Sequence, residues 1–173
     1  MVDANVVDLT VNGVMARATD DYGRCLHGQL GATFDVERAV LEGCTEAAVT
    51  TSLLSTAVLR DVSIIDVRSL PCPDPATECV PTAGVGLVSL PGGGIDAERF
   101  IVSRAALAAV MIIEGADTDL RDGTIEGSPV GINVQDEAFD LGRVMERIRF
   151  VDNGMNLDSS ALPVPSGMAM IGP

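Results

Sequence analysis

The chain of 173 residues carries 11 Lys and Arg against 25 Asp and Glu, which gives a formal net charge of −14. Apolar residues make up 47% of it, which is enough for a folded core and excludes wholesale disorder. Nucleic acids and anionic membranes are bound mainly through Lys and Arg, so the acidity argues against both as partners. The length favours a single domain over residues 1–173.

The N-terminal residues 1–12 contain neither a basic segment nor a long apolar one, so they do not resemble a signal peptide. Residues 1–10 and the tail at 161–173 are candidates for caps at the ends of the fold. No stretch of the sequence reaches the roughly 18 apolar residues of a membrane-spanning helix. Residues 8–13 and 23–26 resemble parts of the repeat that follows them, so we predict a partial repeat there.

Five segments of the chain resemble one another and recur about every 23 residues, apart from one longer interval that contains residues 71–83. A repeat of this length with one insertion predicts a solenoid, in which each repeat forms one coil. The segments are FDVERAVLEG from Phe34, AVLRDVSIID from Ala57, IDAERFIVSR from Ile95, TDLRDGTIEG from Thr118 and RVMERIRFVD from Arg143.

Aligned positions within these segments alternate between apolar and mixed residues. This period of two predicts β-strands with one buried face, because a helix would need apolar residues at spacings of three and four. Each segment then turns, and a second short strand is predicted near 47–49, 84–87, 109–112, 129–132 and 155–157. The predicted inward positions are Ala39, Val62, Phe100, Gly123 and Ile148, then Leu41, Ile64, Val102, Ile125 and Phe150; the predicted turns are Gly43, Asp66, Arg104, Gly127 and Asp152.

Two adjacent opposite charges occupy the middle of each segment, and their order reverses from one repeat to the next. In coils stacked about 4.8 Å apart, this order places opposite charges next to each other in both columns. Exposed pairs contribute only about 0.2–1 kcal/mol each, so we interpret this charge ladder as a device that sets register. Its residues are Glu37, Arg38, Arg60, Asp61, Glu98, Arg99, Arg121, Asp122, Glu146 and Arg147.

Four cysteines favour an oxidising compartment. Cys72 and Cys79 bracket a Pro-rich stretch with a spacing that does not fit zinc ligands, so we predict a disulfide-closed loop inserted at 71–83. Cys25 and Cys44 form a second candidate pair. The alternative is four buried thiols in a cytosolic protein. We expect the chain to be the mature form or an excised domain of an extracellular or cell-surface protein, with a Pro-rich tail at 161–173.

These coils resemble the right-handed parallel β-helix repeats of pectate-lyase-like proteins over about residues 6–160. The resemblance implies an all-β solenoid of roughly six coils. It implies little about activity, because that architecture serves polysaccharide lyases and hydrolases, phage tailspikes, adhesins and structural stalks. The family's catalytic motifs are missing from this sequence: the chain has no Trp, its one His is His27, and its one Asp-Asp pair is Asp20-Asp21.

One set of carboxylates is a weak candidate for a site. Asp35, Asp96 and Asp119 share an aligned position, and stacked carboxylates could hold Ca²⁺ or a glycan. The alternative is that these carboxylates pair with nearby Arg99, Arg121 or Arg38 on an open face. Val58 interrupts the column. We predict no other cofactor or metal.

The sequence therefore predicts a non-catalytic rigid scaffold, or a domain that binds a glycan or a protein. A polysaccharide-active enzyme or a fragment of one is the first alternative. A module that assembles end to end is the second.

Overall fold

The computed structural model describes residues 3–15, 23–70 and 81–164. Its strands form two parallel sheets, and the chain passes back and forth between them, so that each new strand pairs with an earlier one in the same sheet. The protein is all-β and consistent with a β-solenoid. Sheet A contains β1 (Asp3–Val7), β2 (Thr10–Asn12), β4 (Thr33–Glu42), β6 (Thr56–Ile65), β8 (Gly94–Ser103), β10 (Asp117–Arg121), β11 (Thr124–Glu126) and β13 (Arg149–Val151). Sheet B contains β3 (Leu26–Gly28), β5 (Ala47–Thr51), β7 (Val85–Ser89), β9 (Ala108–Ile113), β12 (Val130–Gln135) and β14 (Met155–Asp158).

The long strands of sheet A have the single buried face that the alternation predicts. In β6, Leu59, Val62 and Ile64 are 1% exposed, while the residues between them face outward. Strand pairing aligns these residues with their equivalents in β4 and β8, so each inward position forms a continuous apolar column. The register therefore follows the sequence repeat.

Each long strand also contains a kink that the sequence analysis did not predict. The second residue of each charge pair has a left-handed backbone, with φ between 53° and 58°, and Asp8 occupies the same position beside β4. This conformation costs a non-glycine residue roughly 1–2 kcal/mol. It lets two consecutive side chains face solvent before the alternation resumes. The kink residues are Asp8, Arg38, Asp61, Arg99, Asp122 and Arg147.

A second left-handed column lies at the turn that leaves sheet A, where the sequence predicts turns. In this column the backbone N–H of Asp66 donates to Ser103 O and that of Arg104 donates to Glu126 O, both at 3.0 Å. Each turn is thus tied to the next strand of the sheet as well as to its own coil. The column contains Gly13, Gly43, Asp66, Arg104, Gly127 and Asp152.

Sheet B differs from sheet A because both faces of its central strands, β5, β7, β9 and β12, are buried. Its inward residues, such as Leu87 and Val110, join the main core. Its outward residues include Val88 and Met111, which are 0% exposed and form a second apolar cluster against which Leu162 packs. The sequence analysis did not foresee this second cluster.

The last repeat segment differs from the prediction because it is not one strand. The 3₁₀ helix Leu141–Val144 includes its first two residues, and β13 begins only at Arg149. The N-terminal cap candidate includes β1, which pairs in parallel with β4 as an edge strand. In the C-terminal tail, Leu162 O accepts a hydrogen bond from Gln135 Nε2 at 3.2 Å, so this part of the tail lies beside β12. Caps at the two ends stay a prediction.

The glycine among the inward positions has a packing reason. A Cβ placed on Gly123 would lie 2.3 Å from Phe100 Cζ, and Phe100 is only 3% exposed. The two residues are neighbours in one inward column, so the large ring in β8 occupies the space that a side chain at Gly123 would need. This column therefore alternates in size to keep the core filled.

We predict that Gly123→Ala lowers the free energy of unfolding by about 1–3 kcal/mol, because the added methyl overpacks the core against Phe100. Urea unfolding measures this effect. The Phe100→Leu variant removes the part of the ring that clashes, so the double variant should lose less than the sum of the two single losses. Strictly additive losses would contradict this packing argument.

Candidate functional site

The most regular chemical feature of the described surface is a series of Arg–Asp pairs along sheet A. In the kink column, Arg99 donates from Nε and Nη2 to the two carboxylate oxygens of Asp61, at 2.8 and 2.9 Å. Both side chains are more than 40% exposed. Such two-point pairs fix orientation as well as distance. The same arrangement joins Arg38 to Asp8 and Arg147 to Asp122.

The aspartates of a second set of pairs lie three residues before the kink residues of their own repeats. Arg60 donates to Asp35 at 3.1 Å, and Arg143 donates to Asp119 at 3.0 and 2.6 Å. Arg121 Nη2 donates to Asp96 Oδ2 at 3.2 Å and lies 3.0 Å from Oδ1, which accepts no hydrogen bond from the described residues. The three candidate-site carboxylates are thus each held by an arginine.

The direction of pairing is the same in both sets: each arginine reaches back to an aspartate on the preceding strand of sheet A. Where the charge pair has the order Glu-Arg, the arginine is itself the kink residue and bonds the kink residue of the preceding strand, as Arg99 bonds Asp61. Where the order is Arg-Asp, the arginine bonds an aspartate two residues before its aligned partner in the preceding strand, as Arg60, aligned with Glu37, bonds Asp35. We call this contact diagonal. The reversal of order therefore moves the bridging pair from one column to the other at each step from β1 to β10, whereas at the last step Arg143 and Arg147 bridge both columns.

This pattern differs in detail from the ladder that the sequence suggests. Strand pairing does place Glu37, Arg60 and Glu98 side by side in one column. Arg60 nevertheless donates to Asp35 at 3.1 Å. The contact between Arg121 Nε and Glu98 Oε2, which lies within the column, is longer at 3.7 Å. Opposite charges are adjacent as expected, but the closest contact of Arg60 runs diagonally, whereas in the kink column Arg99 and Asp61 bond directly.

The same pattern explains the interruption of the candidate carboxylate column. Register aligns Asp35 with Val58, Val58 with Asp96, and Asp96 with Asp119. An aspartate at position 58 would lack an arginine from the following strand, because the aligned residue of β8 that would reach back to it is Glu98. Among the described residues, no group of three or more His, Cys, Asp or Glu is arranged to hold a metal ion. A cation or glycan site at this column stays a prediction.

The N-terminal strands are fixed by a disulfide and a buried ion pair. Cys25 and Cys44 are bonded, with their Cα atoms 5.7 Å apart, which confirms the second predicted pair. The bond joins the residue before β3 to the turn after β4. Beside it, Arg24 donates to Glu46 at 3.1 and 3.0 Å, and both side chains are at most 3% exposed. The first predicted pair, Cys72 and Cys79, lies outside the described residues.

Two hollows open at opposite ends of the sheets. One, of about 260 Å³, is lined mainly by apolar residues that include Val6, Leu26 and Phe34, with His27 at its side. Burial, and then the charge of Arg24, lower the pKa of His27. The other, of about 420 Å³, includes Leu157 and residues of the loop after β12. Neither hollow brings together the predicted candidate residues.

Comparison of the chain with protein-family models, curated proteins and solved structures found no match in any of the three. Within the described ranges, no helix is long and apolar enough to cross a bilayer. The case for function therefore depends on the geometry of this chain alone.

We predict that the ladder stabilises the fold only while its carboxylates are charged. The Arg143 hydrogen bonds and positive charge lower the pKa of Asp119 below its ordinary value of 3.8. This stabilisation is present above that value and is lost as pH falls through the lowered pKa of the folded state. A double-mutant cycle of Asp119→Asn and Arg143→Gln should show a coupling of about 1 kcal/mol or less at neutral pH, because both side chains are at least one-third exposed.

Urea unfolding of the four proteins at neutral pH and at a pH low enough to protonate Asp119 measures this coupling. We expect the coupling to disappear in acid. A coupling that stays the same in acid would contradict an electrostatic origin.

Proposed function

We propose that this chain is a right-handed parallel β-helix of about six coils that acts outside the cell as a rigid, non-catalytic scaffold. Sheet B has six strands, which supports the coil count. Crossover connections between parallel strands are right-handed in nearly all proteins, which supports the hand. The Cys25–Cys44 disulfide supports an oxidising compartment, since cytosolic proteins rarely keep such bonds.

The observation that carries the scaffold proposal is the use of the surface charges. On an open binding or catalytic face, we would expect carboxylates directed at a ligand. In this chain Asp35 and Asp96 instead accept hydrogen bonds from arginines of the following strand, and Asp119 accepts them from Arg143 of the 3₁₀ helix. These pairs link successive strands and leave each carboxylate with a fixed position. Such a surface favours rigidity over ligand exchange.

Two related functions use the same scaffold. A glycan- or protein-binding domain would add a recognition surface to it, and a polysaccharide-active enzyme would add a catalytic pair. Catalysis would need at least one carboxylate to leave its arginine, because a general acid or base must reach its substrate. The scaffold proposal therefore makes a clear prediction for the carboxylate column.

The purified chain should be screened against acidic and neutral polysaccharides, with and without Ca²⁺, while binding and the formation of reducing or unsaturated ends are both measured. We expect no turnover. Asp96→Asn, with its partner variant Arg121→Gln as a matched control, should give the same result as the unchanged chain. Binding without turnover would favour the glycan-binding form of the scaffold.

The scaffold proposal would be overturned if the chain turned over any polysaccharide and Asp96→Asn or Asp119→Asn abolished that turnover. The variant would have to keep its cooperative unfolding. This result would also locate the active site at the carboxylate column.

A further inference from the structure

We propose that copies of this chain stack head to tail, with the end of the sheets formed by β13 and β14 placed on the end formed by β1 and β3 of the next copy. The proposal does not depend on whether the scaffold binds a ligand. Three features of the two ends support stacking: the apolar columns, the charge column and the strand edges.

The apolar columns of the core reach both ends without being covered by the described residues. One column runs from Val6 through Val36, which is fully buried, to Met145, which is 43% exposed. Another runs from Leu26 to Leu157, which is 38% exposed. Interior side chains that become exposed at an end are surfaces that a further coil would bury.

The described part of the tail leaves that last end open. Ser160 O accepts a hydrogen bond from Asn133 Nδ2 at 3.0 Å, and Leu162 O accepts one from Gln135 Nε2. The tail therefore turns back along β12. This course leaves the side chains of Met145 and Leu157 exposed.

Stacking in register would match the two ends column by column. Translation of a copy along the solenoid axis places Met145 on Val6, Phe150 on Val11 and Leu157 on Leu26 of the next copy. Each of these contacts continues a column that is apolar along its length. The contacts would bury side chains that water now reaches.

The charges match as well. The kink column begins with Asp8 and ends with Arg147, and its signs alternate without interruption between them. A stacked copy would place Asp8 next to Arg147, so the alternation would continue across the junction. Two copies joined by identical ends would instead place like charges together in this column. Charge complementarity therefore favours head-to-tail stacking.

The strand edges are also open. Within the described residues, no strand pairs with the outer edge of β1 or β3, nor with that of β13 or β14. Unpaired edges of this kind are templates for pairing with another chain. Because the two ends differ, the contact does not close on itself, and an open series of oligomers results.

Light scattering at low salt, over a wide range of concentration of the chain, tests the proposal. We expect the mean mass to rise with concentration. Val6→Lys blocks one end and Leu157→Lys blocks the other, while Ile101→Lys changes an exposed apolar residue on the side of sheet A as a control. Each blocked variant alone should be monomeric, an equimolar mixture of the two should form a two-chain complex and nothing larger, and the control should behave like the unchanged chain.

Val7 supplies a second test that leaves the core intact, because its side chain is 46% exposed and faces outward. In the stack it lies next to Glu146 of the neighbouring copy. Val7→Arg should tighten association about twofold to fivefold, and Val7→Glu should weaken it by a similar factor. Thermal melting of each variant separates a loss of association from a loss of folding.

Three results would overturn the proposal. The unchanged chain could remain monomeric at every concentration. The blocked variants could still form homodimers, which would show contact between like ends. Ile101→Lys could abolish association, which would locate the interface on the side of the solenoid.

Discussion

The hydrogen-bonded pair between an arginine and an aspartate of the preceding strand is the contact on which the regularity of sheet A depends. Parallel strands that are buried on one face can slip along one another by two residues and still present apolar side chains inward. The left-handed kink removes that freedom, because the kink residues must align. Arg99 and Asp61 then hold the alignment with two hydrogen bonds. Backbone geometry and charge thus specify the same register.

The kink also explains why the charges stand in adjacent positions. A regular strand would direct one of two consecutive residues into the core, where an unpaired charge is costly. With Arg38 in the left-handed region, both Glu37 and Arg38 face solvent while Val36 and Ala39 face inward. The conformational cost of the kink is offset by the inter-strand contacts that it permits.

Much of the fold could be predicted from the sequence, because the repeat spacing, the inward columns and the turns each have a direct signal. The kink was not predicted, since a left-handed backbone is uncommon for residues other than glycine and three of the six kink residues are arginines. The diagonal pairing of Arg60 with Asp35 depends on side-chain reach across strands. The second apolar cluster had a signal in the nine-residue apolar run 105–113 that contains Met111, because an unbroken apolar run is typical of a strand buried on both faces.

The candidate site was predicted less well than the fold. The sequence located the column of Asp35, Asp96 and Asp119, and it also offered arginine pairing as the alternative interpretation. It named Arg121 correctly among the partners, but the contacts of Arg60 and Arg143 required strand register. The interruption at Val58 looked like a weakness of a site, whereas the structure gives it a place in the ladder.

A charge-swap cycle at the centre of the kink column tests the register account most directly. Arg99→Asp and Asp61→Arg should each lower the urea midpoint, because each creates like-charged neighbours. The double variant restores the direct pair but places like charges beside Arg38 and Asp122, so we expect only partial recovery, with smaller differences at high salt. Full recovery in the double variant, or no loss in either single variant, would show that the alternation along the column does not set the register.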